Sequence, residues 1–268
     1  MSIRLWHQSS TELQSQAYQD LLLRRASILA SEGTEVDLHG VAPGTWPEGE
    51  RRLGVYECPY TNLMIQAQCA RNIIDAEDRG YDAFVSTCFE DPGLRAGRSM
   101  VDIPVVGILE TSILVGCTLG RSVALIGTSP SQADRIGNIA YENRLDARVA
   151  CVLGTDPLGP GIIDGASDGG KRAMAEFERV ARVAIAQGAD VLIPAEGIIN
   201  VLLADLGVTD VDGHPIVDSW AAVLRFAEMA VHLHRKTGQV PSRQHNNGKV
   251  DRDVAHQMAA STAAVLAR

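Results

Sequence analysis

A thiol and a carboxylate in this chain sit at the same place in two similar segments. Tyr81-Asp82-Ala83-Phe84-Val85-Ser86-Thr87-Cys88 follows Gly80, and Ala189-Asp190-Val191-Leu192-Ile193-Pro194-Ala195-Glu196 follows Gly188. Each segment runs Gly-x-Asp, then a short apolar stretch, then the proton-carrying residue eight positions after the glycine. A short apolar run punctuated by glycine reads as a buried parallel strand. After Cys88 comes Phe89-Glu90-Asp91-Pro92-Gly93, which stops the strand and can open a helix. Cys88 is thereby expected at the carboxyl edge of a sheet, where open α/β sheets take ligands. A following helix N-terminus is expected to lower the thiol pKa and favour thiolate. The same context also fits a buried structural cysteine. For Glu196 the alternative is an ion-paired or capping carboxylate at a helix start.

Two more pairs of segments match. Ile103-Pro104-Val105-Val106-Gly107 resembles His214-Pro215-Ile216-Val217-Asp218, and the first strand with Ser9 and Ser10 resembles Ser122 to Ser129. Internal similarity at one long period predicts two copies of one fold unit. Facing each other, they would place Cys88 and Glu196 on opposite walls of one cleft. Strand and helix patterns alternate along the chain. Strands are expected at 3–6, 34–38, 84–86, 105–108, from 123, 147–153, 191–193 and 215–217. Helices are expected at 14–31, 62–79, from 94, 111–119, 133–144, 171–187, 202–206 and 219–235. Such alternation predicts α/β architecture: two pseudo-symmetric, doubly wound parallel-sheet lobes with the active site between them. The first lobe is assigned residues 1–119 plus 219–268, and the second 120–218. The Gly-, Asp- and Pro-rich stretch 154–170 reads as a loop able to serve as a lid. The tail after Lys236 starts polar and ends in an Ala-rich segment, 254–266, suited to a packed or assembly-forming helix.

Composition narrows the function classes. A chain of 268 residues, 46% hydrophobic and 21% charged, can bury a sizeable core. A net charge of −9 without any Lys/Arg run argues against a nucleic-acid surface. No stretch approaches the length of a membrane span, and the N-terminus lacks a signal-peptide pattern. The five cysteines, at 58, 69, 88, 117 and 151, are scattered, with no C-x-x-C pair. That usage suits a reduced cytoplasm and makes a metal site unexpected.

The run Cys88-Phe89-Glu90-Asp91-Pro92-Gly93-Leu94, followed by Pro104-Val105-Val106-Gly107-Ile108-x-Glu110, resembles the aspartate/glutamate/hydantoin racemase superfamily, and within it the hydantoin racemase branch. The similarity covers most of residues 1–235. It implies two pseudo-symmetric lobes with the active site between them, no cofactor and no metal. It also implies acid–base chemistry at an acidic carbon, usually by a cysteine on each lobe. The first cysteine maps onto Cys88, whereas Glu196-Gly197-Ile198-Ile199 stands where the second is usual, and His7-Gln8-Ser9-Ser10 replaces the usual Asn-Pro-Asn-Thr. Relatives are often dimers or larger, which leaves a homo-oligomer open here.

A carboxyl group titrates near about 4.3 and a thiol near about 8.5, so a Cys/Glu pair is mismatched unless burial raises the acid. Ile193, Ile198 and Ile199 provide apolar neighbours for that. The expected activity is cofactor-independent acid–base chemistry on a small cyclic ureide of the hydantoin type. Three other readings remain open. Cys88 could attack a hydantoin or thiohydantoin ring while Glu196 activates water, as in a hydrolase or a desulfurising lyase. Cys88 could protonate the carbanion left by a decarboxylation. Finally, the chain could be an inactive two-lobed ligand-binding protein. Substrate-binding candidates are Ser9, Ser10, Thr128 and Ser129, whose hydroxyls equally suit helix N-caps. Phe89, Gly197, Ile198 and, on the first-lobe loop, Tyr56 complete the set. Glu110 and Asp218 end matched strands and suit orienting roles, while His214 is expected outside the chemistry.

Overall fold

The computed structural model of the protein describes residues 2–47, 55, 57–156 and 168–266. Its first half holds β1 (Ile3–Gln8), α1 (Gln16–Leu29), β2 (Thr34–His39), α2 (Pro59–Asp78), β3 (Ala83–Ser86), α3 (Leu94–Met100), β4 (Val105–Gly107) and α4 (Ile108–Leu119). The second half holds β5 (Val123–Gly127), α5 (Pro130–Glu142), β6 (Val149–Gly154), α6 (Asp168–Ala186), β7 (Val191–Pro194), α7 (Gly197–Asp205), β8 (Asp210–Val211), β9 (His214–Pro215) and α8 (Ser219–Thr237). Helix α9 (Arg252–Leu266) follows.

Two parallel sheets result, ordered β2-β1-β3-β4 and β6-β5-β7, and a parallel bridge from Leu192 to Ile216 extends the second on the side matching β4. Their registers superpose. Leu5 pairs with Ala83 as Val123 pairs with Val191, and Phe84 pairs with Val105 as Leu192 bridges Ile216. Even the strand-end bonds repeat: Thr87 N–H donates to the Gln8 carbonyl, and Ala195 N–H to that of Ile126. In each sheet the chain winds outward in both directions from the central pair, so β1/β3 and β5/β7 are the switch points at which ligands bind such sheets.

The lobes interleave. Helix α4 leaves the first sheet and packs under the second, where a Cβ added to Gly116 would lie 2.7 Å from Val123 Cγ1. Helix α8 leaves the second sheet and packs on β1, β3 and β4, and the two helices pack against each other. One core of buried residues therefore runs through both sheets, from Leu5 and Val85 through Ile113 and Val223 to Leu125 and Ile193.

Three expectations are revised. Helix α7 starts at Gly197, not Leu202, because Glu196 caps it and Ile199, Val201, Leu202 and Leu203 bury its apolar face. The segment before α8 forms a two-residue hairpin, β8/β9, with Gly213 at φ 81° in the turn. A single 3-10 turn over Asp146–Arg148 delays β6 to Val149. Tyr56 and residues 157–167 of the expected lid loop lie outside the described residues. No helix among the described residues is long and apolar enough to cross a membrane.

Candidate active site

Cys88 and Glu196 each lie two residues beyond the end of their strand, β3 and β7, at the two switch points. The loops that carry them touch. A Cβ placed on Gly197 would be 3.5 Å from the Thr87 carbonyl oxygen of the opposite lobe, and 3.5 Å from the Tyr18 hydroxyl. The wall is tied together from behind by an Arg24–Asp205 ion pair between α1 and α7 at 2.8 Å. Cys88 and Glu196 are both half-buried.

The thiol is not at a helix start, contrary to expectation. Helix α3 begins at Leu94, six residues on, after Gly93 in the left-handed region at φ 70°. A side chain at Gly93 would also meet the Gln66 carbonyl oxygen at 2.4 Å, so this tight exit from the loop requires glycine. With no helix dipole to stabilise thiolate, burial pushes the Cys88 thiol up to about 12, and the nearby Glu90 carboxylate adds to that. The Ser10 hydroxyl and the Glu90 N–H, both bonded to the sulfur, oppose this only in part. Cys88 is accordingly a thiol near neutral pH, a proton donor and a poor resting nucleophile.

Glu196 holds the helix-start position instead. Its Oε2 accepts from Ile199 N–H at 2.8 Å, and the N–H groups of Gly197, Ile198 and Ile199 all favour the ionised form. Burial outweighs them and raises the acid above the usual carboxylate range. Capping does not consume the carboxylate, because each oxygen carries two lone-pair sites. Both members of the pair are thus shifted upward, and the thiol remains the weaker acid.

The supporting groups are placed by neighbours on the first lobe. His7 is buried at 2% exposure and pairs with the Thr87 hydroxyl at 2.9 Å through Nε2. Thr87 gives its own proton to the Gln8 carbonyl at 3.0 Å, so His7 serves as the donor. Burial drops the imidazole to about 3, which keeps it neutral and fixes the residue preceding Cys88. Glu90 is clamped by Asn62 of α2 at 2.9 Å and by Arg135 of α5 at 3.0 Å, so it ties the Cys88 loop to the second lobe. Asp91, at φ 39°, is buried against Gly107 at the start of α4. Burial and Glu110 push its acid up to about 7, only partly offset by Arg98 and the Glu110 N–H.

The other expected ligands divide by how their polar groups are used. Ser10 is at the thiol, with its carbonyl held by Trp46 Nε1 at 2.9 Å. Gly197 and Ile198 are half-buried beside Glu196. Ser9 accepts from Thr11 N–H at 3.1 Å in a local turn, Ser129 caps α5 through Gln132 N–H at 3.1 Å, and Thr128 donates to Gln132 Oε1 at 3.0 Å. Phe89, expected as a ligand contact, is instead a core residue at 1% exposure. Glu110 pairs with Arg98, while Asp218 caps α8 and pairs with Arg25, so both matched carboxylates are held in local ion pairs. His214 lies in the distant hairpin. Tyr18, which reaches the seam from the first turn of α1, was not anticipated.

A cleft of about 1080 Å³ lies beside this site between α2, α3, α5 and the 241–247 tail; it is lined by Glu90, Arg135 and Arg95 but by neither Cys88 nor Glu196. Among the described residues no three His, Cys, Asp or Glu side chains converge in a metal-holding arrangement.

The model of the Asp/Glu/Hydantoin racemase family matches residues 54–227. A hydantoin racemase from Pseudomonas sp. (strain NS671) is 29% identical over 177 residues, which is 61% of this chain and 64% of that protein's length. The match thus spans less than two thirds of that relative. Allantoin racemase from Klebsiella pneumoniae shares the fold with a TM-score of 0.73 at 20% identity, over 94% of this chain and 95% of its own. Allantoin racemase from Pseudomonas fluorescens gives 0.70 at 20%, over 92% and 97%.

Proposed function

We propose, for a chain that belongs to the Asp/Glu/hydantoin racemase family, that it inverts the configuration at a hydrogen-bearing carbon of a small hydantoin-type cyclic ureide, with Glu196 and Cys88 removing and returning a proton on opposite faces. The observation that carries this reading is the pairing of a carboxylate and a thiol at equivalent strand ends on two loops in contact. Relatives and fold neighbours are named hydantoin and allantoin racemases, and those two compounds share one ring. Its C5 hydrogen lies next to a carbonyl, so removing the proton leaves an enolate.

The resting charges set the order of events. Glu196 as carboxylate takes the C5 proton from one face, and the electron pair moves onto the adjacent carbonyl oxygen. The Cys88 thiol then delivers its proton to the opposite face, and the product has inverted configuration. The pair is left as carboxylic acid and thiolate, the form needed for the opposite enantiomer. Raising the carboxyl brings it closer to the carbon acid it must deprotonate, as general base catalysis requires. A ring-attacking hydrolase would draw on a resting thiolate, which burial of Cys88 disfavours. Decarboxylation needs only the protonated thiol, so the same side chain suits it.

The test is one enantiomer of a 5-substituted hydantoin in D2O, followed by NMR and optical rotation. Deuterium at C5 with loss of rotation is expected, with Cys88→Ala and Glu196→Gln each lowering the inversion rate at least 100-fold. A new product without C5 exchange would replace the racemase reading.

A further inference from the structure

The enolate formed between Glu196 and Cys88 needs a hydrogen-bond donor for its oxygen. In transition states of this kind, a preorganised donor is often the largest single contribution to rate. Most donors around the seam are already engaged. The Ser10 hydroxyl and the Glu90 N–H serve the Cys88 sulfur, and the N–H groups of 197–199 serve the Glu196 carboxylate. The Thr87 hydroxyl serves the Gln8 carbonyl, and Thr128 serves Gln132.

Tyr18 is different. Its ring is half-buried against the core, in a helix turn fixed by the Ser15 cap that accepts Tyr18 N–H at 3.3 Å. Its hydroxyl and the Thr87 carbonyl oxygen converge on the same point, each 3.5 Å from where a Cβ on Gly197 would be. Gly197 follows Glu196 and Thr87 precedes Cys88, so the phenol stands in the seam between the two proton carriers. Among the described residues no acceptor engages its hydroxyl. The site is built around a phenol whose donor is uncommitted.

We propose that Tyr18 is a third catalytic group, whose phenolic O–H donates a hydrogen bond to the carbonyl oxygen of the substrate as that oxygen becomes an enolate. This deepens the racemase reading and rests on it. No proton leaves Tyr18 in the step: the C5 proton goes to Glu196, the Cys88 proton goes to C5, and the O–H only shortens its bond to the oxygen that gains charge. Burial, followed by the nearby Glu196 and Cys88 charges, raises the phenol above its ordinary value, so it remains a neutral donor throughout the working range.

Tyr18→Phe keeps the ring that packs on the core and removes only the donor. Deuterium wash-in at C5 of a 5-substituted hydantoin is compared with wild type, alongside Tm and the rate of Cys88 alkylation by iodoacetamide. The expected result is a kcat reduced about 100- to 1000-fold, KM changed less than about threefold, and Tm and alkylation unchanged. A kcat within about threefold of wild type would overturn the proposal while leaving the racemase reading standing. No exchange by the wild-type protein on a panel of hydantoins would overturn both. As a second probe, 3,5-difluorotyrosine is placed at position 18, which keeps the packing but makes the phenol more acidic. The alkaline limb of the kcat profile is expected to move to lower pH, and a limb that stays in place would count against a donor role.

Discussion

Cys88 and Glu196 differ less in burial than in what surrounds their charges. The thiol loop has no helix start beneath it and carries Glu90 and Asp91 nearby, so its ionised form is disfavoured twice. The carboxylate is set on the first turn of α7, where three backbone N–H groups offset part of the burial that raises it. Asp91 shows the same physics with only partial compensation, and its pH dependence follows from the direction of its shift. Its folded value of about 7 lies above the ordinary 3.8, so the protonated form is favoured in the fold. The stability it supports is fully present below the unfolded value and is lost as pH rises through about 7. Asp91→Asn, which tolerates the positive φ, is expected to match wild type near pH 4. Its advantage should grow by up to about 1.4 kcal/mol per pH unit and level off above pH 7. Urea midpoints of both proteins across pH 4 to 8 would show this; a difference that does not vary with pH would contradict it.

At the level of elements, the site is held by loops that borrow partners from neighbouring helices. Glu90 depends on Asn62 of α2 and Arg135 of α5, and this partly buried cluster crosses between lobes. Arg135→Met strands the Glu90 charge, with an expected cost of about 2–3 kcal/mol. Glu90→Gln removes the nearest like charge and should speed iodoacetamide alkylation of Cys88 at a given pH, whereas Arg135→Met should slow it. Equal rates in all three proteins would sever Glu90 from the thiol. The strands and the equivalence of Cys88 with Glu196 were legible in sequence, because each rests on a short local pattern of glycine, aspartate and apolar residues. The start of α7 was not, since Gly197-Ile198-Ile199 has low helix propensity and becomes helical through the Glu196 cap and burial of its apolar face. The absence of a helix start at Cys88 was also hidden, because Asp91-Pro92-Gly93 spends three residues on a turn before α3. Tyr18 carried no signal at all: it matters only because α1 brings its first turn against a loop of the other lobe.

Over the whole molecule, duplication explains why a chemically unequal pair can face each other. The two switch points come from the same sheet order and register, and the exchange of α4 and α8 between lobes gives both sheets one continuous core. The frame is therefore nearly symmetric while the groups it presents are not. Enantiomers have equal free energies, so steady-state kcat/KM must be the same in both directions, and the asymmetry is visible only in the first turnover. The measurement that bears most directly on the account is a rapid-quench single turnover in D2O at pH 7, with protein in excess over each enantiomer separately. With Glu196 resting as carboxylate and Cys88 as thiol, one enantiomer should invert in a fast first phase and its mirror image should wait for the protons to redistribute, and Glu196→Gln should abolish the fast phase. Equal first-turnover rates for both enantiomers, or a fast phase that survives in Glu196→Gln, would contradict a carboxylate base working opposite a thiol acid.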